Sequence, residues 1–457
     1  MSSVTRTLTW TERPGRELLR LAGPITISML SYSTMTLAST AFVARVGADE
    51  LAGVGLAGVV GFALVCFGIG LLRGAKTLVS QAVGAGRKDR IPTLLGAALA
   101  LAVALGLCAA LLGQLVAPLL VALSASRRSG EFAAQYLAIR SLGAPLVLVF
   151  AALRECRYGV GDTRAPMRSS LAGNAVNIAL DALLVLGLGW GVRGAAVATI
   201  CGNVTELALL AYAMRGELRG VVLRSRQALR DVWAQGVPNG LQFVMEVGSF
   251  LILTIMVAGF SATDGAAHQL VLHLVNVSFL PAHALAEAAA VLVGQAVGAD
   301  RDVLVPRVAR RALALGASYA LVTLVVYVIA GAAIVDAMAN GDAELSARGL
   351  TLLHVGLAFL VADAANVIAR GVLRGASDVR YAAIVGIATS WLTTPPLAWL
   401  LGVHWHLGAV GGWIGLAVEI VAGASLFWWR VARGGWRRSA RNARAELLDL
   451  SAVAEAV

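Results

Sequence analysis

Twelve long apolar runs, separated by short polar or basic segments, make up most of this chain. They fall at about 17–45, 52–82, 92–122, 132–157, 165–189, 193–214, 232–259, 265–297, 305–337, 346–372, 380–402 and 408–432. Each is near or above the ~20 residues that carry a helix across a bilayer core. Hydrocarbon offers no partner to a backbone amide, so each run must be helical. The predicted fold class is an all-α integral membrane protein with 12 transmembrane helices. Several runs are long enough to tilt or to extend past the bilayer.

The pattern is also written twice. LVSQAVGAGRKD around Gln81 returns as LVGQAVGADRD around Gln295, an offset of 214. The same offset carries Pro24 of LAGPI onto Pro238 of QGVPN, and Ala52 onto Ala266. YGVGDTR (Tyr158 to Arg164) maps onto RGASDVR (Arg374 to Arg380) at an offset of 216, and WGVRGAAVA near Gly194 onto LGAVGGWIG near Gly411 at 217. A near-constant offset at five places implies two homologous six-helix halves. Internal repeats of this kind characterise membrane transporters, with the site between the repeats. The expected organisation is an N-terminal lobe over 1–214, a cytoplasmic linker over 215–231, a C-terminal lobe over 232–433 and a basic tail over 434–457. The lobes would be related by a pseudo-twofold axis around a central cavity.

Composition agrees. The chain is 58% hydrophobic and 14% charged, against about 25% charged in an average soluble domain; its mean hydropathy is +0.79. Its 50 glycines suit close helix packing through small residues. The net charge of +11 is not a nucleic-acid signal, because the basic residues cluster in alternate loops: Arg87, Lys88 and Arg90; Arg157, Arg164 and Arg168; Arg215 to Arg230; Arg301 to Arg311; Arg374 and Arg380. The intervening loops are short or acidic, as at Asp264 and Asp336 to Glu344, and Arg127 and Arg128 are the exception. By the positive-inside rule both termini are cytoplasmic in the plasma (inner) membrane. The basic tail, with Arg437, Arg438, Arg441 and Arg444, would face lipid headgroups. Arg6, Arg13, Arg16 and Arg20 precede a first run too long for a cleavable leader. The four cysteines sit in apolar runs without paired spacing and read as small buried hydrophobes. There is no phosphate loop, paired metal motif or nucleophile elbow. An enzyme is not expected, no cofactor is implied, and transport would draw on an ion gradient.

Several segments resemble the multidrug and toxic compound extrusion (MATE) family. LAGPITISMLSYSTMTLASTAFVARVGADELAGVGLA resembles its first helix and loop, and NIALDALLVLGLGWGVRGAAVAT its fifth and sixth helices. GVPNGLQFVMEVGSF resembles the seventh, AAHQLVLHLVNVSF with LVGQAVGA the eighth, and VADAANVIARGVLRGASDVR the tenth. The resemblance covers nearly the whole chain. It implies two six-helix lobes facing a central cavity, and export of amphiphilic, often cationic compounds in exchange for Na⁺ or H⁺. The partners implied are membrane lipid and a small amphiphilic substrate, with the protein a monomer.

A charge at mid-bilayer costs at least ~2.5–3.5 kcal/mol on insertion scales, so each one needs a reason. The charges inside the runs are Arg73, Lys76, Asp181, Glu206, Glu246, Glu287, Asp363 and Glu419. Gln242 lies one turn before Glu246 on the same helix face. Asn366 and Arg370 follow Asp363 at i+3 and i+7, giving a polar face. The NorM branch of the family has a Glu matching Glu246 and an Asp matching Asp363. Glu246, Asp363, Gln242 and Asn366 are therefore the expected coupling site, able to hold either Na⁺ or a proton. The family's Tyr one turn before that Asp is Phe359 here. In the first half, Asn174, Asn177 and Asp181 form one stripe, and Thr199, Asn203 and Glu206 another. The DinF branch uses residues matching Asn177, Asp181 and Thr199 for a cation site, together with an Asp where this chain has Ser39. Asp181, Asn177, Thr199 and Asn203 are the expected first-lobe site. Arg73 and Glu287 are equivalent under the repeat, at the same offset as Gln81 and Gln295, and are expected as a cavity-facing charge pair. His273 and His283 read more readily as hydrogen-bonded core histidines than as proton shuttles.

The functional reading is a cation-coupled antiporter exporting drugs or other amphiphiles. A lipid-linked precursor flippase of the same superfamily is the first alternative. A membrane-embedded enzyme is the second, and the short loops speak against it.

Overall fold

The protein is described by a computed structural model covering residues 8–124, 126–223 and 225–454, with 448–454 as backbone only. Arg6, Arg224 and the final residues of the basic tail lie outside the described residues. The fold is helical as expected. The helices are α1 (Pro14–Ala44), α2 (Ala48–Gly84), α3 (Ile91–Val116), α4 (Arg127–Ser141), α5 (Ala144–Gly159), α6 (Arg164–Asp181) and α7 (Gly191–Ala213) in the first half. The second half holds α8 (Arg226–Phe260), α9 (Ala262–Gly298), α10 (Leu304–Ala339), α11 (Ala343–Gly375), α12 (Val379–Leu397) and α13 (Gly408–Ala432), followed by α14 (Arg437–Ala454). Among the described residues, eleven helices are long and apolar enough to cross a membrane; the bent α4–α5 pair supplies a twelfth span.

That fourth span differs from the single run predicted over 132–157. It is broken by a bend of 48°, between Ser141 and Ala144. Pro145 sits in the first turn of α5, where its missing amide costs nothing but cannot extend α4. Two further irregularities are related by the repeat. A π-helical segment, Ala182–Gly187, continues α6 immediately after Asp181, and another, Ala398–His404, continues α12. Such wide turns gather at functional sites.

The residues divide into two compact units that do not coincide with the sequence halves. Of the described residues, the N unit holds those within Pro24–Val79 and Arg87–Leu241, and the C unit those within Met1–Gly23, Ser80–Gly86 and Gln242–Val457. Helices α1 and α8 thus each contribute to both units, and each changes membership close to one of the repeat-related prolines, Pro24 or Pro238. The basic tail belongs to the C unit. Its α14 buries Ala440 and Leu447, with Trp436 buried just before it, and Arg444 holds Asp302 at 3.1 Å and also pairs with Asp300.

Side-chain size explains the packing. Helix α3 buries Ala98, Ala102, Gly106, Ala109 and Gly113, and turns Leu107, Leu111 and Leu115 outward. Large residues outside and small ones inside is the arrangement expected when lipid is the solvent and backbones must approach closely. Within the N unit, α2 crosses α8 at Gly70 and Gly74 over Gly240 and Gly236. A Cβ on Gly236 would lie 2.3 Å from the Leu71 carbonyl oxygen. Within the C unit, the two repeated QAVG motifs meet reciprocally. A Cβ on Gly84 would lie 2.1 Å from the Gln295 carbonyl oxygen, and one on Gly298 2.0 Å from that of Gln81. Trp10 donates to the Gln295 side chain at 2.8 Å, and Gln81 donates to Ser377 at 2.8 Å.

A branched residue at the α2–α8 crossing should separate the helices. Gly236→Val is expected to cost at least the ~1–3 kcal/mol of an overpacked core, seen as a melting point several degrees lower for the detergent-solubilised protein. Gly55→Val, at a position with open space around it, should melt close to the unmodified protein. Equal melting points for the two variants would contradict the assigned crossing.

Candidate functional site

In the C unit the polar residues of four helices converge. Glu246 on α8 accepts from the Arg370 guanidinium on α11 at 2.7 Å and from Gln242 Nε2, one turn back, at 2.8 Å. Gln242 is fully buried, and its carbonyl oxygen accepts from Arg374 at 3.4 Å. Space for these two side chains comes from Gly386 on α12, where a Cβ would lie 2.4 Å from Gln242 Nε2 and 2.8 Å from Glu246 Oε1. Asp363, half-buried on α11, lies within the field of Arg370. So does Glu419 on α13, which also lies within that of Glu246, accepts from the Thr394 hydroxyl, and has the Ser390 hydroxyl beside it. Arg370 is thus the common neighbour of three carboxylates.

The predicted coupling residues are therefore placed unequally. Gln242 and Glu246 are joined directly, and Asp363 shares their arginine. Asn366 turns elsewhere: its Nδ2 donates to the Ile420 carbonyl at 3.0 Å, tying α11 to α13, while its Oδ1 is buried without a hydrogen bond among the described residues. The donor set does not fit a sodium ion at Glu246. Hard cations need several oxygen ligands, whereas Glu246 is met by a guanidinium and an amide NH₂.

In the N unit, Asp181 is fully buried at the end of α6. Ser39 on α1 donates to it. Satisfying both ends of the Asn177 amide orients it so that its nitrogen donates to Asp181 Oδ2 at 3.0 Å and to Ser39 Oγ at 3.1 Å, while its oxygen accepts from the Thr199 backbone amide at 3.1 Å. Asp181 Oδ1 is buried without a hydrogen bond among the described residues. A buried orphan acceptor is costly and marks a place where a proton or ion can bind. Among the described residues Asn203 makes no hydrogen bond to this group; its amide nitrogen lies beside Gly143 at the α4–α5 bend. Asn174 donates to Ser31 at 2.9 Å and pins α6 to α1.

One buried group lies outside the sequence expectation. Lys76 on α2 pairs with Glu155 on α5 at 3.3 Å, both side chains 3% exposed. Arg154 donates to the same carboxylate at 3.0 Å, and Arg73 adds its field. The clue was RECR within VFAALRECRYG, but at the end of an apolar run it reads as cytoplasmic. Glu287, in the C unit, has His283 at 3.6 Å one turn earlier on α9. A cavity of about 290 Å³, lined by Asp264, Glu344, Arg348 and Thr351, contains none of these carboxylate clusters.

Among the described residues, removing Arg370 would leave Glu246 with Gln242 as its hydrogen-bond donor. Losing one partner of a fully buried pair costs ~3–5 kcal/mol. Here the side chains are 18% and 23% exposed, so solvent screening lowers the expected cost of Arg370→Gln to about 1–3 kcal/mol. Adding Glu246→Gln should restore most of it. Strict additivity of the two changes in a thermal-unfolding cycle would refute the pairing.

The MatE family model matches residues 24–183 and 238–400, two segments that begin at the repeat-related prolines Pro24 and Pro238. A probable multidrug resistance protein NorM of Pseudomonas syringae is 30% identical over 436 residues, covering 91% of this chain and 95% of that protein. One of Bradyrhizobium diazoefficiens is 34% identical over 430 residues, covering 90% and 91%. Among solved structures, an outward-facing multidrug resistance MATE transporter of the MOP superfamily superposes with a TM-score of 0.86 at 21% identity, covering 95% of this chain and all of that one. A MOP superfamily transporter from Pyrococcus furiosus superposes with a TM-score of 0.87 at 20% identity, covering 94% and 99%. These relatives are transporters, not enzymes, and they favour a drug exporter over a flippase. With the repeat, the helices and the family match in agreement, the chain belongs to the MatE family of multi-pass membrane transporters.

Proposed function

We propose that this protein is a proton-coupled antiporter that exports drugs or other amphiphilic compounds by alternating access across the plasma membrane, with both termini in the cytoplasm. One observation carries the choice of ion. The carboxylates at the candidate sites face hydrogen-bond donors: Arg370 and Gln242 at Glu246, and Ser39 and Asn177 at Asp181. Such donors leave no cage of oxygens for a metal ion, whereas a proton needs only one carboxylate oxygen that a donor gives up. Asp363 belongs to the same system because it shares Arg370 with Glu246.

Each carboxylate can exist neutral or charged, and the two forms bind different neighbours. A proton arriving from the trans side neutralises a carboxylate and weakens its hold on the arginine or on a cationic substrate. Loss of that proton to the cis side restores it. Exchange follows because the protonated and the substrate-bound forms stabilise different conformations.

Proteoliposomes loaded with a fluorescent cationic drug test this directly. An imposed pH gradient should drive efflux, and a Na⁺ gradient without one should not. Glu246→Gln and Asp363→Asn should abolish gradient-driven export, and Asp181→Asn should reduce it. Export driven by Na⁺ alone would overturn the proton reading. Orientation is tested by cysteine labelling. Asp264 is buried, but its exposed neighbour Ala262 reports the same face. Ala262→Cys should react with an impermeant maleimide on intact cells, and Gln227→Cys only after permeabilisation; the opposite pattern would reverse the topology.

A further inference from the structure

The half-buried arginines Arg154 and Arg370, one in each unit, are repeat equivalents. Arg154 maps onto Arg370 at the same offset that carries Tyr158 onto Arg374. Each stands on the last turns of its helix and donates to one carboxylate: Arg154 to Glu155 at 3.0 Å, Arg370 to Glu246 at 2.7 Å. Each retains a buried Nε–H without a hydrogen bond among the described residues. Each also faces a second carboxylate on the last long helix of its half. In the N unit this is Glu206 on α7, and in the C unit Glu419 on α13. These two positions differ from strict equivalence by one helical turn, so they occupy the same helix face.

The second carboxylates share a setting. Glu206 has the Ser170 hydroxyl of α6 beside it. Its stem lies over Gly173, where a Cβ would fall 2.1 Å from Glu206 Cγ, so only glycine leaves room for it. From α5, the groups facing it are Arg154 and Tyr158. Glu419 accepts from Thr394, with the Ser390 hydroxyl beside it; its charged neighbours are Glu246 and Arg370. A neutral carboxylic acid is content among hydroxyls at this depth, whereas an ionised one needs a cation. The arginine can supply it through the uncommitted Nε–H.

We propose that Glu206 and Glu419 are a repeat-related pair of proton-binding sites, each exchanging its proton for a hydrogen bond from the equivalent arginine. The proton leaves the carboxylic acid for water, and the carboxylate so formed accepts from Arg154 or Arg370. Reprotonation returns the arginine to Glu155 or Glu246 alone. In this way each unit would sense the proton gradient through the pull on one arginine, which ties its fourth or tenth span to its sixth or twelfth. The inference rests on the proton-coupled reading and extends it to two carboxylates beyond Glu246, Asp363 and Asp181.

Difference infrared spectroscopy of the purified protein in lipid vesicles, titrated across pH, tests it through the carbonyl band of protonated carboxyl groups. Glu206→Gln and Glu419→Gln should each remove one carboxyl's share of the titrating band. Arg154→Gln should move the Glu206 component, and Arg370→Gln the Glu419 component, to higher pH by about 1–3 units, because a nearby cation favours the charged form. If either glutamine variant fails to fold, Glu206→Asp or Glu419→Asp should keep its component with an altered midpoint. A titrating band unchanged by both glutamine substitutions overturns the proposal. So does a Glu206 or Glu419 component insensitive to its arginine. Export driven by Na⁺ alone would instead defeat the proton-coupled reading, whatever the band does.

Discussion

A charge in hydrocarbon is tolerated only if something nearby neutralises it, and this protein answers that constraint with arginine. Arg370 neutralises Glu246 and reaches Asp363 and Glu419. Arg154, with Lys76, neutralises Glu155 and reaches Glu206. Much else in the fold serves to make those contacts. Gly386 clears space for Gln242 and Glu246, Gly173 for Glu206, and Gly159 lets α5 approach α2, where a Cβ would lie 2.9 Å from the Lys76 carbonyl oxygen.

The arginines also explain why a metal ion is a poor occupant of the second-half site. An arginine is always charged, so at Glu246 it takes the place that a sodium ion would need. A proton is different, because it competes with the arginine for the carboxylate without needing a coordination shell. In the first half the same logic runs through hydroxyl and amide donors. Ser39 stands where a related branch carries an Asp, and it donates to Asp181 instead of adding a second negative charge.

The helices and the repeat were legible in the sequence because both depend on local pattern. A long apolar run has one solution in lipid, and a duplicated motif keeps its offset. The stripe of Asn177 and Asp181 facing Thr199 was legible for a related reason, since helical periodicity puts these residues on one face and adjacent helices share it. What could not be read was tertiary choice. Arg370 lay on the polar face of its span, but nothing local says that it reaches Glu246, far back in the chain on another helix. Asn366 sat on that same face and yet turned to the Ile420 carbonyl. Glu155 and Arg154 read as the cytoplasmic end of a span, whereas the break at Ser141 to Ala144 begins a separate helix on which Glu155 is buried and Arg154 half-buried. Glycine also hid part of the site, because an absent side chain at Gly173 or Gly386 has meaning only once its neighbours are known.

The proposed mechanism has carboxylates in the membrane exchange protons when substrate binds. It can be tested without a gradient or a transport assay. Purified protein in weakly buffered solution with a pH indicator should release protons when a cationic drug is added, and none when Na⁺ is added. Drug binding with no change in indicator signal, together with binding that depends on Na⁺ concentration, would contradict it.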